Sequence, residues 1–225
     1  MMELSLLILA YFIGSIPTGY LVGRSAGLDI REHGSGSTGA ANVWRTIGKD
    51  KGIFVFGIDL IKGTTTILLI QSISELKTTS SPLFFNSFEA NIQPQNEWFV
   101  VGAALLVILG HSYSCWIDFK GGKSVATGLG ILLAFNWIVG LGAFSFWLAT
   151  VVMWRTTSIG SILAAIASSS LMLCTHSPVA YKLMVCVGSL LIIYRHRSNF
   201  DRLWQGTELK INFFESDRHE NISTD

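Results

Sequence analysis

The stretch VATGLGILLAFNWIVGLGAFSFWLATVVM, Val125 to Met153, decides how this chain is folded. Its 29 residues carry no charge. At a rise of about 1.5 Å per residue that is too long for one ordinary crossing of a bilayer core and short for two full ones. The segments on either side sharpen the problem. Residues 117–124 before it and 154–157 after it both carry Lys or Arg, and the positive-inside rule assigns both to the cytoplasm. One crossing would put them on opposite sides. Two shortened helices turning near Phe135 to Trp137 place them on the same side. The competing reading is a single long tilted helix with Arg155 alone on the far side.

The rest of the chain has the same character. Across 225 residues it is 50% hydrophobic and 14% charged, with a mean hydropathy of +0.48, more apolar surface than one soluble core can hide. Further apolar stretches run over Leu4–Val22, Gly52–Ser72, Trp98–Trp116, Ser158–Cys174 and Pro178–Tyr194, the last two short enough to require tilt or local thinning. No Lys or Arg precedes Leu4, and Glu3 does, so the first stretch reads as a retained helix, kinked near Pro17, and not as a secretory signal. Residues 24–51, 117–124, 154–157 and 195 onward are rich in Lys, Arg and Gly. Residues 73–97 and 175–177 carry only Lys77 among their cations. The sequence therefore predicts an all-α polytopic membrane protein of about seven helices, two of them short, with the N-terminus outside and the C-terminus cytoplasmic. The membrane domain spans 1–210, and 211–225 is a polar, flexible tail. The net charge of +1 says little about partners. Cys115, Cys174 and Cys186 have no metal or disulfide spacing and read as packing thiols.

Four polar segments then gather at one face. GSGSTGAAN, Gly34 to Asn42, has glycines spaced for positive φ, with amides that form an anion-binding nest, hydroxyls at Ser35, Ser37 and Thr38, and Arg45 close behind. Gly36, Gly39 and Asn42 belong to the same candidate loop. Taken alone, it is equally a flexible linker. GHSYSCWIDFKGGKSVAT, Gly110 to Thr127, places Lys120 and Lys123 around Gly121 and Gly122 just before a helix N-terminus, a phosphate-binding arrangement. It is not a nucleotide P-loop, because Ile117 stands where the first glycine is required and no strand precedes it. Its other reading is a basic flank anchoring a helix. RTTSIGSI puts Ser158 and Ser161 on one face of a starting helix, where small residues also serve simple packing. RHRSNFDRLWQGTELK adds Arg195, His196, Arg197, Asn199 and Arg202 at a helix exit. Each segment has a bland reading, and four on one side imply a site. Asp59 and Lys62, three apart, are the only charges well inside a span and are spaced to pair.

These segments, with SIPTGYLVG at Ser15 to Gly23, resemble the signature motifs of the bacterial acyl-phosphate:glycerol-3-phosphate acyltransferases, in order and over nearly the whole chain. Arg45, Lys123, His196 and Asn199 match the motifs. Ser37, Ala41, Ser124 and Ser198 depart from them, standing where the family usually has Asn, Thr, Gly and often an acid. The resemblance implies transfer of a fatty acyl group from acyl phosphate to the 1-hydroxyl of glycerol 3-phosphate, giving lysophosphatidate and phosphate. It implies a multi-pass protein of the bacterial cytoplasmic (inner) membrane with its site facing the cytoplasm, and transient contact with the soluble enzyme that makes acyl phosphate. Arg45, Lys123 and His196 are the candidate catalytic residues. Ser35, Gly36, Ser37, Gly39, Asn42, Lys120, Gly121, Gly122, Ser158, Ser161 and Asn199 are the candidate phosphate-binding ones. No cofactor, metal or nucleic acid is expected, since His33, His111, His176 and His219 lack ligand spacing. His196 suits a general base by its ordinary pKa and a phosphate donor by its cationic neighbours, and the reading leans toward orientation with a substrate phosphate oxygen taking the proton. His196 and Asp201 also spell H-x-x-x-x-D, which looks like the signature of an acyl-CoA-dependent acyltransferase group. The rival from another class is an organophosphate anion carrier, against which stand the absence of an internal repeat and the clustering of donors at one face.

Overall fold

The computed structural model describes residues 1–78 and 94–212. It breaks the decisive apolar stretch at Asn136. Helix α6 covers Val125–Phe135 and α7 covers Trp137–Trp154. Asn136 has extended dihedrals, φ −158° and ψ 101°, and its Oδ1 accepts the amide of Val139 at 3.1 Å, an N-cap that restarts the chain as a new helix. The turn falls where the sequence predicts it. Phe144 and Trp147 of α7 face Val125 and Leu129 of α6 across a shared apolar space, so the two helices fold back as a hairpin.

Around this hairpin, and with no strand among the described residues, stand α1 (Met2–Ser15), α2 (Thr18–Ser25), α3 (Ala40–Thr46), α4 (Lys49–Thr78), α5 (Pro94–Ser112), α8 (Thr157–Leu173), α9 (Val179–Arg195) and α10 (Arg197–Trp204). The expected kink near Pro17 is a break: α1 ends at Ser15, and Pro17 precedes the first residue of α2. Three stretches are long and apolar enough to cross a membrane: Met2–Ser25, Lys49–Ser74 and Trp137–Trp154. The pair α9 and α10, bent by 51°, makes a fourth when taken as one span. Asn96–Ser112, Val125–Phe135 and Thr157–Leu173 are shorter apolar helices. Less than two-fifths of each long span is buried inside the protein, which leaves an apolar outer surface suited to lipid. The segment expected to be external, 73–97, lies largely outside the described residues, as does the tail beyond 212. Ile211, assigned to that tail by sequence, is buried, and its amide donates to the Arg155 carbonyl at 2.7 Å.

Close backbone approach holds the bundle. A Cβ on Gly130 of α6 would lie 2.2 Å from the Leu60 carbonyl of α4, so only glycine permits this crossing, and Thr64 Oγ1 fills it by donating to the Gly130 carbonyl at 2.9 Å. The apolar core runs from Ala10 on α1 through Val100, Ala103, Ala104 and Val107 on α5 to Met172 and Met184 on α8 and α9. Within this frame α4 and the α6–α7 hairpin lie between the four polar segments, and the segments meet at one end of the bundle.

Candidate active site

The first segment is built around one side chain. Asn42 reaches back from α3: its Nδ2 donates to the carbonyls of Ile30, His33 and Ser37 at 3.1, 3.0 and 2.9 Å, and its Oδ1 accepts the Ser35 amide at 2.8 Å. The glycines take the positive φ their spacing suggests, 58° at Gly34 and 68° at Gly36. Three of the amides expected in the nest are nonetheless engaged within the loop. The Ser35 amide is held by Asn42, the Gly36 amide donates to the His33 carbonyl, and the Gly39 amide donates to Ser37 Oγ. Asn42 is therefore the loop's brace, on the wall of the cavity. The loop offers the cavity its Ser35 and Ser37 side chains, while Gly36 lies outside the cavity wall.

Arg45, one turn further along α3, donates from Nη2 to Thr157 Oγ1 at 2.7 Å. Its Nε is buried with no partner among the described residues, so part of the guanidinium fork is unused. Burial draws its pKa below the ordinary guanidinium value, and Arg202 adds to the shift against the opposing pull of Glu208.

In the second segment Lys120, Gly121 and Gly122 lie outside the cavity wall. The amides of Gly121 and Gly122 donate to the carbonyls of Ser112 and His111, folding the loop back on the end of α5. Their carbonyls accept the Arg195 fork, Nη2 at 3.0 Å to each and Nε at 3.2 Å to Gly122. With both amides engaged, the glycines have no donor for a phosphate. Lys120 is exposed and outside the cavity wall. Lys123 alone turns inward, donating to Asn199 Oδ1 in a very short hydrogen bond. Ser124 is left-handed at φ 58°, where the resembling family carries glycine, and its hydroxyl is buried against Ser112 Oγ at 2.7 Å and the Ile108 carbonyl at 3.0 Å.

The third and fourth segments join through a residue that sequence reasoning missed. Glu208 Oε1 accepts from Ser158 Oγ and Asn199 Nδ2, both at 2.7 Å, and Oε2 accepts from Arg202 Nε at 2.8 Å. Its side chain is 5% exposed. Burial works to raise its pKa but is outweighed by hydrogen bonds from Ser158, Asn199 and Arg202, which hold the carboxyl below the ordinary range. The available signal was that Glu208 is the only acid between Arg202 and Lys210. Ser161 donates to the Thr157 carbonyl and accepts the Trp147 indole, a helix-packing role at the edge of the cavity. His196 sits between α9 and α10 with Nδ1 at 2.8 Å from the Ile192 carbonyl, an arrangement that makes Nδ1 the donor and leaves Nε2 as the free acceptor. Burial, then the Lys123 ammonium, pushes its pKa down to about 4. Burial, then Arg202, lowers Lys123 to about 8. Asp201 is exposed and not on the cavity wall, so the H-x-x-x-x-D spacing does not bring its two members together.

These side chains surround a cavity of about 370 Å³. Ser35, Ser37, Arg45, Lys123, Ser158, His196 and Asn199 line its polar end. Phe56, Phe144, Trp147, Leu148 and Val151 form an apolar wall that continues toward the α6–α9 groove. Fold and site define a multi-pass membrane protein whose cavity joins cationic side chains to an apolar wall.

The sequence model of the family described as glycerol-3-phosphate acyltransferase matches residues 4–206. The chain is 46% identical over 208 residues to glycerol-3-phosphate acyltransferase of Trichormus variabilis, covering 92% of this chain and 91% of that one. It is 47% identical, with the same coverage, to the corresponding protein of a Nostoc species. The crystal structure of PlsY (YgiH), an integral membrane glycerol 3-phosphate acyltransferase, in its glycerol 3-phosphate form, superposes with a TM-score of 0.80 at 34% identity, covering 94% of this chain and 96% of that one. Its lysophosphatidic acid form gives 0.78. The chain belongs to the glycerol-3-phosphate acyltransferase family.

Proposed function

We propose that this protein transfers a fatty acyl group from acyl phosphate to the 1-hydroxyl of glycerol 3-phosphate, giving lysophosphatidate and inorganic phosphate, the first acylation of phospholipid synthesis. One observation carries the reading. Arg45, Lys123, His196 and Asn199 line a single cavity together with the apolar side chains of Phe56, Phe144, Trp147, Leu148 and Val151, which suits a phosphate on each substrate and a long chain on one. The forms in which the PlsY neighbour was crystallised, with glycerol 3-phosphate and with lysophosphatidic acid, support the same pair of ligands here.

In this mechanism the glycerol hydroxyl oxygen bonds to the acyl carbon, the bond from that carbon to the phosphate oxygen breaks, and the hydroxyl proton passes to the departing phosphate. Arg45, with its unpartnered Nε, and Lys123 stabilise the charge that develops on that phosphate. Glu208 holds Asn199, which holds Lys123, so a chain of hydrogen bonds fixes the ammonium before substrate arrives. His196, neutral at pH 7, presents Nε2 as an acceptor for the other hydroxyl of glycerol 3-phosphate, which orients the attacking one and leaves its proton to the phosphate. Acyl phosphate is already activated, so orientation and charge stabilisation suffice. The site faces the cytoplasm of the bacterial inner membrane, where a soluble acyl-phosphate-forming enzyme meets it transiently.

The test is donor choice by purified protein. Phosphate release from acyl phosphate is expected only when glycerol 3-phosphate is present. Turnover with acyl-CoA as sole donor would refute the reading, and uptake of glycerol 3-phosphate into vesicles without any acylated product would favour a carrier.

A further inference from the structure

The broken first span raises a question that the reaction does not answer. Asp59 and Lys62 lie on α4 inside the membrane, are 2% and 6% exposed, and pair at 2.8 Å. Ionised groups at such depth are costly, and a buried ion pair can be exchanged for apolar side chains with little loss of stability. Their partners suggest what the pair is for. Lys62 Nζ donates to the Ile16 carbonyl at 3.0 Å, at the C-terminal end of α1. Asp59 Oδ1 accepts the hydroxyl of Thr18 at 3.0 Å, on the first residue of α2. The cation thus sits at the negative end of one helix and the anion at the positive end of the next, on either side of Pro17.

What rests on α2 is the serine loop, residues 33–39 of the first polar segment, as the lysine loop is residues 117–124 of the second. A Cβ on Gly19, one residue past Thr18, would lie 1.9 Å from the Thr38 carbonyl, so the loop backbone rests directly on this turn of α2. Across the pair, Asp59 Oδ1 also faces His111 Nδ1 at 3.7 Å, and the His111 carbonyl receives the Gly122 amide of the lysine loop. Asp59 and His111 both reach the cavity wall.

We infer that Asp59 and Lys62 form a positioning pair that clamps the break between α1 and α2 and so fixes the serine loop relative to the lysine loop. The kinetic arm of the test rests on the proposed acyl transfer. The exchange arm does not. Asp59→Leu/Lys62→Met, which removes both charges together, is compared with wild type in thermal stability, kinetics and hydrogen exchange. The double variant is expected to melt within a few degrees of wild type and to lose amide protection at residues 16–20 and 34–42 only. Its kcat is expected to fall by about tenfold or more, with a smaller change in KM for glycerol 3-phosphate, as misalignment of bound groups predicts. Thr18→Val is expected to share the kcat loss and Thr18→Ser, which keeps the hydroxyl, to restore it. A double variant as active as wild type, or one that loses protection evenly through all helices, overturns the inference. If wild type itself shows no turnover with acyl phosphate, the reaction is misassigned, and the exchange pattern alone decides whether the clamp exists.

Discussion

Lys123 has the most finely balanced surroundings of any side chain in the site. Burial and Arg202 favour its neutral form, Glu208 favours the charged form, and the balance lies at about 8. If the ammonium form binds and stabilises phosphate, kcat/KM is present below that value and is lost as pH rises through it. Glu208→Gln removes an influence that raises the pKa, so the falling limb should move to lower pH. Lys123→Arg, whose guanidinium stays charged, should flatten the limb even where the rate drops, and Lys123→Ala should cost on the order of 10²-fold in kcat. No inflection is expected near 6.5, because His196 titrates at about 4. Steady-state pH profiles of the four proteins check the set. A limb unmoved in both Glu208→Gln and Lys123→Arg would mean that Lys123 does not bear the charge.

The serine loop shows how one side chain can substitute for secondary structure. Residues 33–39 make no regular element of their own, yet four hydrogen bonds from Asn42 tie them to α3 and to the Ile30 turn. Each buried backbone group left without a partner costs about 1–3 kcal/mol. Asn42→Ala should therefore release the loop without unfolding the bundle. Amide exchange at 33–39 should rise, protection in α4 and α5 should stay unchanged, and activity should fall by about tenfold or more. Hydrogen exchange followed by mass spectrometry, run beside the activity assay, reads both. Unchanged exchange at 33–39 would show that the brace is not needed.

The α6–α7 hairpin returns Arg155 and Thr157 to the end of the bundle that holds Arg45 and Ile211, as the 2.7 Å contacts to Thr157 Oγ1 and the Arg155 carbonyl require. Sidedness then follows for the whole protein. In a variant lacking Cys115, Cys174 and Cys186, single cysteines at Ser37, Arg155 and Thr207 should react with an impermeant reagent from the cytoplasmic side. One at His176 should react from the opposite side. Labelling of the Arg155 position from outside would break the hairpin arrangement and remove the third segment from the site.

Sequence by itself determined the all-helical membrane fold and the family. Uninterrupted apolar runs name the membrane helices because backbone groups in lipid must bond within the helix, and 29 uncharged residues between two cationic segments pointed to the turn found at Asn136, with one long tilted helix as the alternative. Arg45, Lys123, His196 and Asn199 were legible because phosphate needs cations and donors, and these stood in four motifs. Only tertiary structure decided which donors are free. The Gly121, Gly122 and Ser35 amides looked available until the loop folded back on α5 and Asn42 closed on its neighbours. Glu208 carried only a weak signal in its own stretch, as the one acid between Arg202 and Lys210, because its value lies in meeting Ser158, 50 residues away in sequence, and Asn199 on another element. A hydrogen bond engages a group only once its partner has been brought to it, and that depends on packing between distant segments.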